Sequence, residues 1–150
     1  MEVNHRGEGV PVSAREPAGI MLDLQAQNCH NINLVTSTHY APQLIAALPW
    51  AIEQGFRLLL VYIYNCGGYE PVEVLQLLDG IVDIYVPDIK FLDSSASERY
   101  LDGAADYPIV VRTAVKEMHG QVGDLVLDAQ GIAHTWPHGP AFGDAWLDLG

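Results

Sequence analysis

Three apolar segments recur along the chain, and their starts lie roughly 25 residues apart, the spacing of strand–helix units. They cover residues 31–36, 57–64 and 81–86. Each is followed by polar or glycine-containing residues and then by a helix-like segment, which is typical of a parallel β-sheet. The apolar runs are continuous rather than alternating, and this predicts strands that helices cover on both faces.

The sequence therefore predicts an α/β fold, in which a doubly wound sheet and part of a (β/α) barrel fit equally well. A complete eight-unit barrel needs about 250 residues. A chain of 150 residues has room for about four strand–helix units. Hydrophobic periodicity and capping residues predict helices over residues 13–27, 42–54, 71–78, 94–101 and 107–121.

Charge and composition exclude some classes of function. The formal net charge of −12 argues against nucleic-acid binding, because no basic cluster is present to meet phosphates. The polar start is unlike a secretory signal, and no apolar run approaches the about 18 residues of a membrane-spanning helix. We therefore expect a cytoplasmic protein without membrane contact, whose cysteines, Cys29 and Cys66, are free thiols.

Polar residues at the ends of the three predicted strands are the candidate site. The carboxyl ends of parallel strands lie at one edge of a sheet, where α/β proteins bind ligands. The candidates are Thr36, Ser37, Thr38 and His39 after the first strand, Asn65, Gly67 and Gly68 after the second, and Asp88 and Lys90 after the third.

Several roles are compatible with these residue types. His39 could act as a base, a metal ligand or a hydrogen-bonding contact, or it could cap the following helix. Asp88 and Lys90 are two residues apart on an extended segment and point to the same side. They could hold a ligand's cationic and anionic groups, or pair with each other. Gly67-Gly68 is neither a dinucleotide fingerprint nor a P-loop, and no Ser-His-Asp order or nucleophile elbow is present.

Five ordered motifs resemble radical S-adenosylmethionine proteins, most closely the subgroup similar to pyruvate formate-lyase-activating enzymes. The match extends in register from Glu2 to Ala133, which predicts a partial barrel over residues 1–133 and an irregular tail over 134–150. The motifs are Asn31–Gln43, Tyr64–Glu70, Leu78–Tyr85, Pro87–Lys90 and Glu117–Leu125.

The resemblance implies a partial (β/α) barrel that holds a 4Fe-4S cluster and S-adenosylmethionine. In that family the reduced cluster cleaves the cofactor to a 5′-deoxyadenosyl radical, which takes a hydrogen atom from a small molecule or a protein partner. By position, Thr36, Thr38 and His39 match the contacts to the methionine amine, and Asn65 matches the side of the ribose and carboxylate. Asp88 and Lys90 match a D-x-K strand end beside the methionyl carboxylate.

One departure from the family concerns the cluster. Relatives bind it with a C-x3-C-x2-C loop after the first barrel strand, and this sequence has no such motif. Since the match begins just downstream of that loop, we expect no radical activity from this chain alone. The competing hypotheses are a non-catalytic remnant or partner-binding module, and a hydrolase or isomerase that uses His39 and Asp88.

Overall fold

Helices alternate with a three-stranded parallel sheet whose strand order is β1-β2-β3. The computed structural model describes residues 13–35, 37–57 and 61–124. The α/β class is therefore confirmed. The elements are α1 (Arg15–Ala26), β1 (Asn31–Val35), a 3₁₀ turn (Thr38–Tyr40), α2 (Ala41–Glu53), β2 (Val61–Cys66), α3 (Val72–Leu77), β3 (Ile84–Pro87), α4 (Ser94–Tyr100) and α5 (Tyr107–Val122).

β2 is the central strand of the described sheet and pairs in parallel with β1 and β3. Tyr64 lies between Leu34 of β1 and Tyr85 of β3. One residue later, Asn65 lies between Val35 and Val86. Because side chains alternate along a strand, these two rows face opposite sides of the sheet.

Only one face of the sheet is packed against helices in the described part of the chain. We call this the covered face; it presents Ile32, Leu34, Tyr62, Tyr64, Cys66, Tyr85 and Pro87. The two hydrophobic clusters combine residues of this face with residues of α1, α2, α3 and α5. The expectation that helices cover both faces is wrong for these residues, because every strand side chain in the core points the same way.

The opposite face, which we call the open face, presents Asn33, Val35, Ile63, Asn65, Ile84 and Val86. None of them belongs to either hydrophobic cluster. Val35 and Val86, near the carboxyl ends of their strands, are 62% and 44% exposed. Apolar side chains of this kind are normally buried, so the open face is an incomplete surface within the described residues.

Two strand boundaries differ from the sequence prediction. The third strand begins at Ile84 rather than at residue 81, because Ile81 and Val82 donate backbone hydrogen bonds to the Leu78 carbonyl and complete a turn after α3. The second strand continues to Cys66, whose carbonyl accepts the Asp88 N–H at 2.8 Å. The polar residue Asn65 therefore belongs to the sheet itself.

The described residues contain three of the roughly four predicted strand–helix units. The predicted boundary at residue 133 and the tail over 134–150 lie outside the described residues. No described helix has the length and apolar character needed to span a bilayer.

Truncating Leu75 tests the assignment of the core. This α3 side chain is 0% exposed, whereas Leu77 in the same helix is 58% exposed. We expect Leu75→Ala to lower the free energy of unfolding by about 2–5 kcal/mol, because it leaves a cavity in the core. Leu77→Ala is the matched control, with an expected change within about 0.5 kcal/mol. Urea denaturation followed by circular dichroism measures both, and equal losses would contradict the packing described.

Candidate functional site

The first part of the candidate site is the turn between β1 and α2. Tyr40 N–H donates to the Ser37 carbonyl at 2.8 Å and closes the 3₁₀ turn. The turn carries Thr38, which is partly buried, and His39, which is exposed. Thr36, the remaining candidate from this strand end, lies outside the described residues.

A hydrogen bond joins the ends of β1 and β2. The Thr38 hydroxyl donates to Glu70 Oε1 at 2.8 Å. The Tyr64 hydroxyl lies 3.4 Å from Thr38 Oγ1 and 3.5 Å from Glu70 Oε2, at the long end of the hydrogen-bonding range. These three side chains tie the turn after the first strand to the loop after the second.

Glu70 is buried, with 3% of its surface exposed. Among the described residues the ion pairs join Lys90 to Asp88 and His119 to Asp124, so no lysine or arginine there neutralises it. Burial raises the pKa of Glu70 above its ordinary value, and the hydrogen bonds from Thr38 and Tyr64 oppose this change by favouring the ionised form. The electrostatic attraction of nearby His39 acts in the same direction as these hydrogen bonds.

A second buried oxygen lies beside this group. Ser37 is 7% exposed, and within the described structure its Oγ makes no hydrogen bond of acceptable geometry. It is near enough to Tyr64 to favour the ionised form of that phenol, but burial dominates and raises the pKa of Tyr64 to about 12. Buried hydroxyls without a partner are uncommon, because each has lost its hydrogen bonds to water.

Asn65 occupies the middle of the candidate edge. It is the penultimate residue of β2 and lies in register between Val35 and Val86 on the open face. Its side chain is partly exposed. An amide in this position offers both a donor and an acceptor next to apolar groups.

Asp88 and Lys90 follow β3 and form an exposed ion pair with each other. Of the two interpretations that the sequence left open, the local pair is the one observed. Their backbone is fixed more firmly than their side chains: Lys90 N–H donates to the Tyr107 hydroxyl at 2.9 Å, and that hydroxyl donates to the Gly67 carbonyl at 3.0 Å. An exposed ion pair contributes little to stability, so its partners can exchange for ligand groups.

The Gly67-Gly68 segment brings the loop after β2 close to α5. Gly68 has φ of +76°, and a Cβ there would lie 2.7 Å from Val111 Cγ2, so a side chain does not fit without rearrangement. The next residue, Tyr69, stacks on Tyr107 with ring centroids 5.6 Å apart. This packing supports a structural role for the two glycines at a tight strand-to-helix connection.

The two cysteines lie at opposite edges of the sheet. Cys29 precedes β1, and Cys66 is the last residue of β2, so roughly 17 Å of strand separates their ends. Burial, helped by the nearby Glu70, raises the pKa of the Cys66 thiol to about 12. Both are free thiols, and the described residues contain no group of three or more His, Cys, Asp and Glu side chains placed to hold a metal ion.

The predicted strand ends therefore share one edge, as expected. Thr38 follows β1, Asn65 is the penultimate residue of β2, and Asp88 and Lys90 follow β3, which spreads these residues over about 10 Å, two strand spacings. Sequence reasoning assigned no role to Glu70, which contacts Thr38 directly. The sequence feature that could have drawn attention to Glu70 is its position, because this carboxylate follows a strand end and a glycine pair.

Comparison with protein-family models, with curated proteins and with solved structures finds no match to this chain.

The buried thiol gives a prediction about reactivity. A protonated, buried thiol is a poor nucleophile, so we expect Cys66 to resist modification by a disulfide reagent in the folded protein. Cys29 is only partly buried and serves as the internal comparison. In the Cys29→Ser variant the remaining thiol should react at least about tenfold more slowly than in Cys66→Ser, and the difference should vanish in denaturant. Equal rates in the folded variants would contradict the placement of Cys66.

The raised pKa of Glu70 predicts how stability depends on pH. Because the folded state holds this proton more tightly than the unfolded state, stability from this group is complete below its ordinary pKa of 4.5 and falls as pH rises through the folded pKa. Wild type should therefore lose stability relative to Glu70→Gln as pH rises from 4.5 into the neutral range. Urea denaturation over that range measures the difference.

Glu73→Gln is the control for this series, because Glu73 is an exposed carboxylate three residues farther along. Its stability profile should run parallel to that of wild type. A Glu70→Gln profile that also ran parallel to wild type would show that the carboxylate is not desolvated in the folded protein.

Proposed function

We propose that this chain forms the S-adenosylmethionine-binding wall of a partial (β/α) barrel of the radical S-adenosylmethionine type, similar to pyruvate formate-lyase-activating enzymes. The wall is the carboxyl edge of the sheet, with Thr38, His39, Asn65, Asp88 and Lys90 as the binding residues. Thr36 belongs to the same proposal by its position in the sequence. The chain alone does not carry the iron–sulfur chemistry.

The observation that carries the proposal is the one-sided sheet. In a (β/α) barrel the helices form an outer ring and the inner face of the sheet is left to side chains and ligands. In a doubly wound sheet, helices cover both faces. The covered face supplies all strand residues of the core, and the open face ends at the edge that carries the candidate residues. This arrangement favours the barrel segment over the doubly wound alternative.

The residues at this edge fit the charges of S-adenosylmethionine. Its amino-acid end carries an ammonium and a carboxylate, and its sulfonium adds a second positive charge. Lys90, which is exposed and forms an ion pair with its neighbour Asp88, offers a cation to the carboxylate. At the other end, Thr38, which is hydrogen-bonded to the buried Glu70, offers a hydroxyl oxygen in a negative environment to the ammonium. The Asn65 amide lies between them and can reach ribose hydroxyls or the carboxylate.

The residues described do not fit a 4Fe-4S cluster. Such a cluster needs several thiolates around one point. Cys29 and Cys66 are at opposite sheet edges, and burial keeps the second one protonated. We therefore assign to this chain cofactor binding and orientation, and no radical step. After anaerobic reconstitution with iron and sulfide we expect no stoichiometric cluster; a stoichiometric one with absorbance in the blue would contradict this part of the proposal.

Isothermal titration calorimetry with S-adenosylmethionine tests the binding site. We expect wild type to bind, and Lys90→Gln to bind at least about tenfold more weakly, since a charge-assisted hydrogen bond contributes about 1.5–3 kcal/mol. Lys116→Gln is the matched control, because Lys116 is an exposed lysine on α5. Its affinity should equal that of wild type. Equal affinities for all three proteins would show that Lys90 is not part of the binding site.

A second candidate function is supported by the same open face. Exposed apolar residues such as Val35 and Val86 are typical of surfaces that contact another chain. A partner-binding module without cofactor would bind no S-adenosylmethionine at any pH. That outcome would favour this second function over the first.

A further inference from the structure

Glu70 is unusual among the described residues because it is their one buried charged side chain. It lies at the carboxyl edge of the sheet, in the loop that follows β2. The groups that face it are Thr38 and His39 from the turn after β1, and Tyr64 and Cys66 from β2. None of these is a lysine or arginine, so in the described structure the carboxylate has hydroxyl partners and no buried cation.

A desolvated carboxylate without a cation is costly to keep ionised. Such a group is compensated when a ligand brings a positive charge close to it. The hydrogen bond to Thr38 matters here because Thr38 is the more exposed of the two residues and stands at the proposed binding edge. Whatever binds at that edge is influenced by Glu70 through the threonine.

The hydrogen-bond geometry sets the polarity of the Thr38 hydroxyl. A hydroxyl has one proton to donate and two lone pairs that accept. At 2.8 Å from Glu70 Oε1, the Thr38 proton is committed to the carboxylate. Its oxygen is thus left as an acceptor, with increased negative charge because its proton is drawn toward an anion. An acceptor beside a buried negative charge is suited to a ligand N⁺–H donor.

We propose that Glu70 is a positioning residue that fixes Thr38 as a hydrogen-bond acceptor and makes this end of the site selective for a ligand's ammonium group. The inference rests on the proposed function, since the ammonium is that of S-adenosylmethionine.

Calorimetry with two ligands tests the role. S-adenosylmethionine carries the ammonium, whereas 5′-methylthioadenosine shares the nucleoside and lacks the amino-acid part. Glu70→Gln should weaken binding of the first at least about tenfold at pH 7.5 and leave binding of the second unchanged. Glu73→Gln, the exposed-carboxylate control, should bind both ligands as wild type does.

The coupling to Thr38 gives a readout that a purely structural role would not produce. Thr38→Val should weaken S-adenosylmethionine binding, and adding Glu70→Gln should cost little more, because both changes remove the same interaction. Thr38→Ser keeps the hydroxyl and should restore the affinity. In wild type, affinity should rise with pH as Glu70 ionises, and this rise should be absent in Glu70→Gln.

The outcomes separate the two proposals. If wild type does not bind S-adenosylmethionine, the proposed function fails and this inference fails with it. If wild type binds but Glu70→Gln binds equally well, only the role of Glu70 is overturned. If Glu70→Gln loses both ligands equally and melts at a lower temperature, Glu70 is structural and the inference is also overturned. Selective loss of the ammonium ligand, with a melting temperature no lower than that of wild type, supports it.

Discussion

The parallel pairing of β2 with a strand on each side determines which side chains form the covered face, the open face and the carboxyl edge of the sheet. In this register Tyr64 faces the helices between Leu34 and Tyr85, and Asn65 faces away from them between Val35 and Val86. A shift of one residue would exchange these rows and bury an amide in the core. The buried Tyr64 ring, edge-on to Tyr85, opposes such a shift, and its hydroxyl lies beside Thr38 and Glu70. The strand at the centre of the core therefore also positions the residues of the candidate edge.

Much of the fold follows from local sequence signals. The predicted helices over 42–54 and 107–121 correspond to Ala41–Glu53 and Tyr107–Val122, because proline in the first turn and regular apolar spacing are strong signals. The third strand was less predictable: Ile81 and Val82 are β-branched, but the hydrogen bonds of the preceding turn hold them outside the sheet. Continuous apolar runs suggested two covered faces, yet Val35 and Val86 are exposed. Composition indicates that a residue favours burial, and only tertiary structure determines whether a partner covers it.

The candidate site was predictable in outline and not in its chemistry. Parallel strands bring their polar ends to one edge whatever the intervening helices, so the common location of Thr38, Asn65 and Asp88 follows from topology alone. The hydrogen bond between Thr38 and Glu70 does not follow from topology, because it joins residues 32 positions apart through the loop after β2. Burial of Glu70 could not be predicted either, since glutamate is usually exposed and a position after a strand end and a glycine pair does not by itself indicate burial. The sequence predicted the position of the edge, and the contacts in the structure showed that a buried carboxylate, Glu70, is bonded to one of its residues.

Amide chemical-shift mapping during a titration is the most direct test of the proposal that the carboxyl edge of this sheet binds S-adenosylmethionine. We expect saturable shifts in the turn of Thr38–Tyr40, at Asn65 and around Lys90, with none at the opposite edge near Cys29 and Gly80. Shifts confined to that opposite edge, or no saturable shifts at millimolar ligand, would contradict it.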